Sequence, residues 1–314
     1  MKVVVTGGAG FIGANLSRVL LAREWVDEVV VLDDLSTGRR SNLDGIDVDF
    51  VEGTIADESA LDACFVGADA VVHLAALPSV PRSVKAPVTS HAANATGTLN
   101  VLEAARRAGG PQVIVASSSS VYGSNPVLPK NEDLATRPLS PYAASKLAAE
   151  GYTLAYGSTY GLATIAFRFF NVFGPLQPAG HDYAAVIPAF LDAALSGRPI
   201  PIQGDGTQSR DFTYVETVAS VITNAIERKV ASAEPINLAY GGRVSLLELI
   251  SMIESSLGTP LEREFLAPRV GDVPHSQAAS ERLLALFPDV EPTSLAVGLQ
   301  TTIDWFRTLP EYRA

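Results

Sequence analysis

Val3-Val4-Val5-Thr6-Gly7-Gly8-Ala9-Gly10-Phe11-Ile12-Gly13 reads as an apolar strand, a glycine-rich turn and a helix start, in that order. Glycines 7, 10 and 13 form G-x-x-G-x-x-G, a variant of the dinucleotide fingerprint. The first turns the chain tightly, the second lets backbone approach a pyrophosphate, and the third lets helix and strand pack closely. The pyrophosphate would rest on the helix N-terminus, where unpaired N–H groups and the helix dipole favour an anion. A plain tight turn carries similar glycines, so context decides. The next run, Val29-Val30-Val31-Leu32, ends in Asp33, where an acid accepts hydrogen bonds from the adenosine ribose. An acid there repels a 2′-phosphate, so NAD is expected rather than NADP. Arg39 and Arg40 are the counter-signal, and read more simply as surface charges.

Working outward, β-branched runs alternate with helix-period segments. Val3–Val5, Val29–Leu32, Val48–Val51, Ala70–Leu74 and Val113–Ala116 read as strands. Strands apolar on both faces imply a parallel sheet covered by helices, a Rossmann-type doubly wound α/β fold. One helix is expected from about Val84 to Arg107, passing close to a site because His91, Asn94 and Asn100 interrupt its apolar face. After about residue 170 turn signals multiply, as in Phe173-Gly174-Pro175 and Gly204-Asp205-Gly206. Helical patterns recur near Ala184–Ser196, Val215–Glu227, Leu246–Ser256 and Ser294–Phe306. The expected organisation is a dinucleotide domain over 1–170, with parts of 210–235 returning to it, and a smaller C-terminal substrate-binding lobe over 171–314.

The 314 residues carry 23 Lys and Arg against 34 Asp and Glu, a net charge of −11. That balance argues against nucleic acid or an anionic membrane as partner, so any phosphate must be held locally. One cysteine, Cys64, excludes an intrachain disulfide and makes a cysteine metal site implausible. With no run of about 18 apolar residues and no leader-like N-terminus, a soluble cytoplasmic protein is expected.

The strand Val113-Ile114-Val115-Ala116 runs into Ser117-Ser118-Ser119-Ser120-Val121-Tyr122-Gly123, at the strand end where open α/β sheets place their sites. Some twenty residues on comes Ser140-Pro141-Tyr142-Ala143-Ala144-Ser145-Lys146. Pro141 marks a helix start, so Tyr142 and Lys146 lie one turn apart on one face. Together these residues resemble the extended short-chain dehydrogenase/reductases, and within them the UDP-hexose 4-epimerases. His73-Leu74-Ala75-Ala76, Asn94-Ala95-Thr96-Gly97-Thr98, Arg168-Phe169-Phe170-Asn171-Val172-Phe173-Gly174-Pro175, Gly204–Phe212 and Arg269-Val270-Gly271-Asp272 extend the likeness over nearly the whole chain.

The resemblance implies Tyr142 as base for the sugar 4-hydroxyl, Lys146 as its electrostatic partner and ribose anchor, and Ser118 as the hydroxyl on the reacting oxygen. NAD contacts are implied for Gly7, Gly10, Phe11, Ile12, Asp33, Ile55, Leu74, Ala75, Ala76, Asn94, Tyr142, Lys146 and Phe169. Poising a phenol near pH 7 takes about 3 pKa units, roughly 4 kcal/mol. One ammonium about 4 Å away supplies something of that order at an effective dielectric of about 20. Burial opposes it, and a positive nicotinamide helps.

For the substrate, the resemblance implies Arg210 and Arg269 on a diphosphate, Asn171 near the phosphates, Asp272 on the nucleotide ribose, and Ala185 and Val186 flanking uracil. Either arginine pairing with a neighbouring acid is the simpler alternative. Ser276 matches the position beside the hexose C2 substituent, where a small side chain admits an N-acetyl group. UDP-GlcNAc/UDP-GalNAc are therefore the expected substrates, with UDP-glucose/UDP-galactose also possible. Thr54 stands where the family usually has an aspartate on adenine, and the segment 176–181 lacks a customary basic residue. His181, in that loop, is either a sugar contact or a solvated side chain. Ser118-Ser119-Ser120 carries none of the acids that a 4,6-dehydratase needs. UDP-glucuronate 4-epimerase and an NAD-sensing regulator stay open, though a regulator typically loses Tyr142 or Lys146. Likeness to the family also implies a homodimer, formed through helices near 91–108 and 142–160.

Overall fold

Runs of valine and isoleucine, too branched to favour helix and apolar on both faces, become strands buried on both sides. The computed structural model describes residues 1–179, 184–267 and 273–313. β1 (Lys2–Thr6), α1 (Phe11–Leu21), β2 (Glu28–Asp33), β3 (Asp49–Glu52), α2 (Glu58–Phe65) and β4 (Ala70–His73) come first. After them come α3 (Val80–Lys85), α4 (Pro87–His91), a π-helical turn (Ala92–Thr96), α5 (Gly97–Arg107), β5 (Gln112–Ser118), α6 (Pro141–Tyr160) and β6 (Thr164–Phe169). The remainder is β7 (Asn171–Phe173), α7 (Val186–Leu195), β8 (Ile200–Gln203), β9 (Ser209–Arg210), β10 (Phe212–Tyr214), α8 (Val215–Glu227), β11 (Ile236–Leu238), β12 (Val244–Ser245), α9 (Leu246–Leu257), β13 (Arg263–Leu266), α10 (Glu281–Leu286) and α11 (Leu295–Thr308).

Seven strands form one parallel sheet in the order β11-β6-β5-β4-β1-β2-β3. The chain winds outward in opposite directions from β1 and from β4. A crevice therefore opens between their C-terminal ends, where doubly wound sheets bind ligands. One face is covered by α1 and α8, whose Leu16, Leu20, Val218 and Ile222 are fully buried in a cluster with Val3, Val5, Phe167 and Ile236. On the other face α2, α5 and α6 bury Leu61, Phe65, Val101, Leu102 and Tyr156 against Val4, Val71 and Val113. A separate cluster gathers β7, α7, α9 and α11 around Phe173, Phe190, Ile250 and Phe306.

The helix expected across Val84–Arg107 is not continuous. Ala86 leaves helical geometry (φ −137°, ψ 68°), and Pro87, which lacks an N–H and clashes with the preceding turn, begins a new helix. A π turn at Ala92–Thr96 then bends the chain. There Asn94 bonds Leu77, its Oδ1 accepting from the backbone N–H (2.7 Å) and its Nδ2 donating to the carbonyl (3.2 Å). Elsewhere local signals act as written: Ser140 caps α6 by accepting from the Ala143 N–H at 3.1 Å, and Pro141 takes its first position.

Among the described residues no helix is long and apolar enough to cross a membrane. Phe167, on β6 beside the edge strand β11, is fully buried and packs on Phe287 at 5.9 Å between ring centroids. Phe167→Ala should cost about 3–5 kcal/mol, read as a lower urea midpoint at unchanged slope.

Candidate active site

Gly7 ends β1 with φ +70°, and a Cβ there would stand 2.6 Å from the Ala75 nitrogen. Only glycine lets the two strand ends come that close. A Cβ on Gly13 would meet the Gly7 carbonyl oxygen at 2.5 Å, so α1 lies directly on the turn. Gly10 is the N-cap of α1 and supplies no side-chain cap, leaving the first N–H groups of the helix to an external acceptor. This cradle fits a pyrophosphate: uncapped N–H groups stand at the start of α1, and a side chain at Gly7 or Gly13 would collide with the backbone that shapes the turn.

The crevice widens into a cavity of about 780 Å³, within the usual range for a bound small molecule. Gly7, Gly10, Phe11, Ile12, Asp33, Ile55, Leu74, Ala75, Ala76, Tyr142, Lys146 and Phe169 all line it, with Ser118, Asn171 and Ala185. From β2 to β5 there are three inter-strand steps, roughly 14 Å, so the chamber runs from Asp33 at one end to Tyr142 at the other.

Asp33 is buried, its Oδ2 accepting from the Ala9 N–H (3.0 Å) and its Oδ1 from the Leu35 N–H (2.8 Å). Burial pushes its carboxyl above the usual range, with the two N–H groups opposing. Arg40 is turned onto the Phe50 ring, 3.9 Å from its centroid, and neither it nor Arg39 lines the cavity. Thr54 faces the chamber but spends its hydroxyl locally, accepting from the Ala56 N–H at 3.3 Å. The Ile55 carbonyl accepts from Asn100 Nδ2 at 3.1 Å.

At the other end, Ser118 Oγ accepts from both the N–H (3.2 Å) and the hydroxyl (2.9 Å) of Ser120. With both lone pairs engaged, its own proton is left to donate to the Tyr142 oxygen. That hydrogen bond draws the Tyr142 phenol down, but burial is the larger influence and holds it above its ordinary value. Lys146 Nζ donates to the Ala116 carbonyl at 2.9 Å, and burial lowers its ammonium to about 8. In the protein without cofactor, burial is therefore the stronger influence on Tyr142, and the Ser118 hydrogen bond opposes it.

Asn94 does not line the cavity. It is buried, tying the Leu77 loop to Ser145 Oγ at 3.0 Å, and shapes the wall rather than presenting itself. The same stretch brings Thr89, Ala92 and Ala93 to the chamber, contacts hidden in sequence because the helix break and π turn rotate the face. Gln177 and Phe170 also line it without having been singled out.

A second cavity of about 380 Å³ adjoins the first, sharing Asn171, Val172, Gln177 and Ala185 with it and adding Val186, Gln203, Phe212 and Arg210. Arg210 Nη1 donates to the Ser209 carbonyl (2.9 Å) and the Pro274 carbonyl (3.2 Å). Asn171 Nδ2 donates to the Asp211 carbonyl at 3.0 Å. Ser276 is buried beside them, its N–H donating to the Ser209 carbonyl at 3.0 Å. It is not among the residues lining either cavity. Arg269, Asp272 and His181 lie outside the described residues. Asp33 and Asp34 are the only carboxylates lining either cavity among the described residues, and those residues contain no cluster of acids, histidines and cysteines fit for a metal ion.

A phenol, an ammonium and a hydroxyl at the end of a dinucleotide-sized chamber suit one kind of chemistry, hydride removal from a carbon whose oxygen gives up a proton. That places the molecule in the short-chain dehydrogenase class. The profile of the NAD dependent epimerase/dehydratase family matches residues 3–239, and the chain belongs to that family, with NAD as its cofactor. The UDP-glucose 4-epimerase of Mycolicibacterium smegmatis is 38% identical over 314 residues, 98% of this chain and 99% of that one. The UDP-N-acetylglucosamine 4-epimerase from Methanobrevibacter ruminantium, solved in complex with UDP-N-acetylmuramic acid, is 36% identical. It covers 98% of both chains with a TM-score of 0.92. The Thermus thermophilus UDP-glucose 4-epimerase complex with NAD is 35% identical, with a TM-score of 0.88 over 98% of this chain and 99% of that one.

Below the cofactor chamber, His73 Nδ1 meets Thr6 Oγ1 at 2.7 Å and Nε2 meets Thr98 Oγ1 at 3.0 Å. Thr98 donates its own proton to the Asn94 carbonyl at 2.6 Å, so it accepts from His73, which fixes the Nε2–H tautomer. Burial, then the Lys146 charge, lower the imidazole to about 3. Because the folded pKa is depressed, the unfolded chain binds more protons between the ordinary value and about 3. This contribution to stability is lost as pH falls through that window. Nitrogen-15 NMR at about pH 5, where an ordinary imidazole is mostly charged, should show a neutral Nε2–H ring. A doubly protonated ring would contradict the assignment.

Proposed function

We propose that this chain inverts carbon 4 of a UDP-hexose, with UDP-GlcNAc/UDP-GalNAc as the preferred pair and UDP-glucose/UDP-galactose also accepted. The observation that carries the reading is the junction of the two cavities. Ser118, Tyr142 and Lys146 stand in the chamber that binds NAD, which opens onto a second compartment bearing Arg210.

Ionised Tyr142 takes the proton of the 4-hydroxyl, while the Ser118 hydroxyl, which donates to the phenol before substrate binds, turns to the reacting oxygen and holds it in line. NAD, when bound, accepts hydride from C4 and returns it. Lys146 supplies a buried positive charge beside the phenolate and anchors the cofactor ribose. Inversion requires the keto sugar to present its other face before hydride returns, and Tyr142 then gives the proton back to the same oxygen. Arg210, with Asn171 beside it, holds the diphosphate, which lets the sugar turn without leaving. Arg269 and Asp272 complete the nucleotide contacts in this reading, with Ala185 and Val186 on the uracil. Elimination of water needs an acid beside the leaving hydroxyl. Serines at 118–120 offer none, which favours epimerisation over dehydration. The N-acetyl preference is supported by the likeness to the UDP-N-acetylglucosamine 4-epimerase, and the small Ser276, buried next to the second cavity's Arg210 strand, is consistent with it.

The protein is further proposed to act in the cytoplasm as a homodimer. Val84, Val88, Tyr152 and Tyr160 expose 64%, 80%, 42% and 54% of their surface on α3, α4 and α6, helices that pack together. A second copy would cover them. Sedimentation should give twice the 33.0 kDa of one chain. A single-chain mass would refute the dimer.

Proton NMR at the anomeric positions of a UDP-hexose panel tests the reaction directly. UDP-GlcNAc should equilibrate with UDP-GalNAc, and turnover of UDP-glucose alone would overturn the N-acetyl preference. Tyr142→Phe should lower kcat by roughly 10²–10⁴-fold with NAD still bound. Unchanged turnover in that variant would remove the mechanism.

A further inference from the structure

Tyr142, Lys146 and Glu150 follow one another at four-residue intervals on α6, a drift of about 40° per step, so all three share one face. Each holds a different member of three consecutive residues on β5. Lys146 Nζ donates to the Ala116 carbonyl, Glu150 Oε2 accepts from Ser117 Oγ at 2.7 Å, and Tyr142 is hydrogen-bonded to Ser118. Long helical side chains lean toward the helix N-terminus, which lets Glu150 reach back to a strand end level with Tyr142.

Glu150 also binds Arg168 of β6 in a two-pronged pair, Nε to Oε2 at 2.9 Å and Nη2 to Oε1 at 2.7 Å, with both side chains 4% exposed. Arg168 Nη1 donates to Tyr122 OH (2.8 Å) and the Glu132 carbonyl (3.2 Å), and Tyr122 OH donates to Asn237 Oδ1 at 2.6 Å. A buried ion pair is weak evidence for stability, since apolar residues of similar volume often serve as well. What this one supplies is position. It closes a bonded frame across α6, β5, β6 and β11, one residue away from Ser118 and from Phe169, both in the cavity wall.

We propose that the Glu150–Arg168 pair is a positioning device for proton transfer: Glu150 pegs Ser117, and thereby sets the Ser118 hydroxyl against the Tyr142 oxygen. The inference rests on the C4-epimerase reading for its kinetic consequence, but not for its effect on Tyr142. Without the peg Ser118 moves off the phenol, the hydrogen bond that favours ionisation weakens, and Tyr142 ionises at higher pH. Neither Glu150 nor Arg168 lines either cavity, so both act through Ser117 and Ser118.

The test uses NAD-loaded holoenzyme with Glu150→Gln, and with Ser117→Ala, which cuts the peg and leaves the ion pair intact. Ultraviolet difference titration against Tyr142→Phe reads the phenol, and steady-state kinetics reads turnover. Expected for Glu150→Gln are a phenol titration and an acid limb of kcat both moved up by about one pH unit. A kcat fall of about tenfold to a hundredfold should accompany them, with the KM for UDP-sugar within about threefold of the parent. Ser117→Ala should move the same quantities in the same direction by less. If Ser117→Ala, folded and NAD-bound, shows the parent titration and acid limb, the proposal is overturned even should Glu150→Gln fail to fold. If the parent enzyme inverts no UDP-hexose, the functional reading fails while the phenol titration still decides this inference.

Discussion

Around Tyr142 the protein is arranged so that burial, which favours the neutral phenol, outweighs the hydrogen bond from Ser118. A base that cannot ionise removes no proton. The rest of the site is organised by how that desolvation is offset. The Lys146 ammonium is itself destabilised by burial, to about 8, and held by the Ala116 carbonyl. Its charge is felt below, where it helps keep His73 neutral, and a neutral His73 in turn adds no positive charge to compete with Lys146. In the proposed mechanism the remaining positive charge arrives with oxidised NAD. On the proposed mechanism, coupling base strength to a loaded, oxidised cofactor would keep the phenolate from forming when no hydride acceptor is at hand.

The same economy of charge runs through the substrate side. A chain of net charge −11 repels a nucleotide diphosphate at long range, so the anion must be captured where individual groups converge. In the proposed reading the Gly7–Gly13 turn does this with backbone N–H groups and the second cavity with Arg210, whose guanidinium is steadied by two backbone carbonyls.

Much of this was legible in the sequence where chemistry is local. The glycines at 7 and 13 report backbone approach, and the structure shows the contacts that forbid a side chain. Asp33 follows its strand, and Val215–Glu227 runs as α8 over the residues its periodicity marked. Ser140-Pro141 opens α6 as capping rules require. Less visible were features that depend on distant partners. Pro87 was a signal against one long helix over 84–107, but the π turn that follows, in which Asn94 grips Leu77, has no signature in the spacing. Glu150 and Arg168 are 18 residues apart on different elements; only the register with Tyr142 and Lys146 marked Glu150, and it takes the strand pairing to show why. The environment of Tyr142 was also out of reach, because the balance of burial against a nearby charge depends on how α6 closes over β5.

The central claim is that Tyr142 ionises near neutral pH only beside an oxidised cofactor. Ultraviolet difference titration of the Tyr142 phenol, referenced to Tyr142→Phe, compares holoenzyme carrying oxidised NAD with holoenzyme carrying the reduced form. The account predicts ionisation at least about two pH units lower in the oxidised form, with the reduced form titrating at or above the ordinary tyrosine value. Identical titrations in the two forms would contradict it.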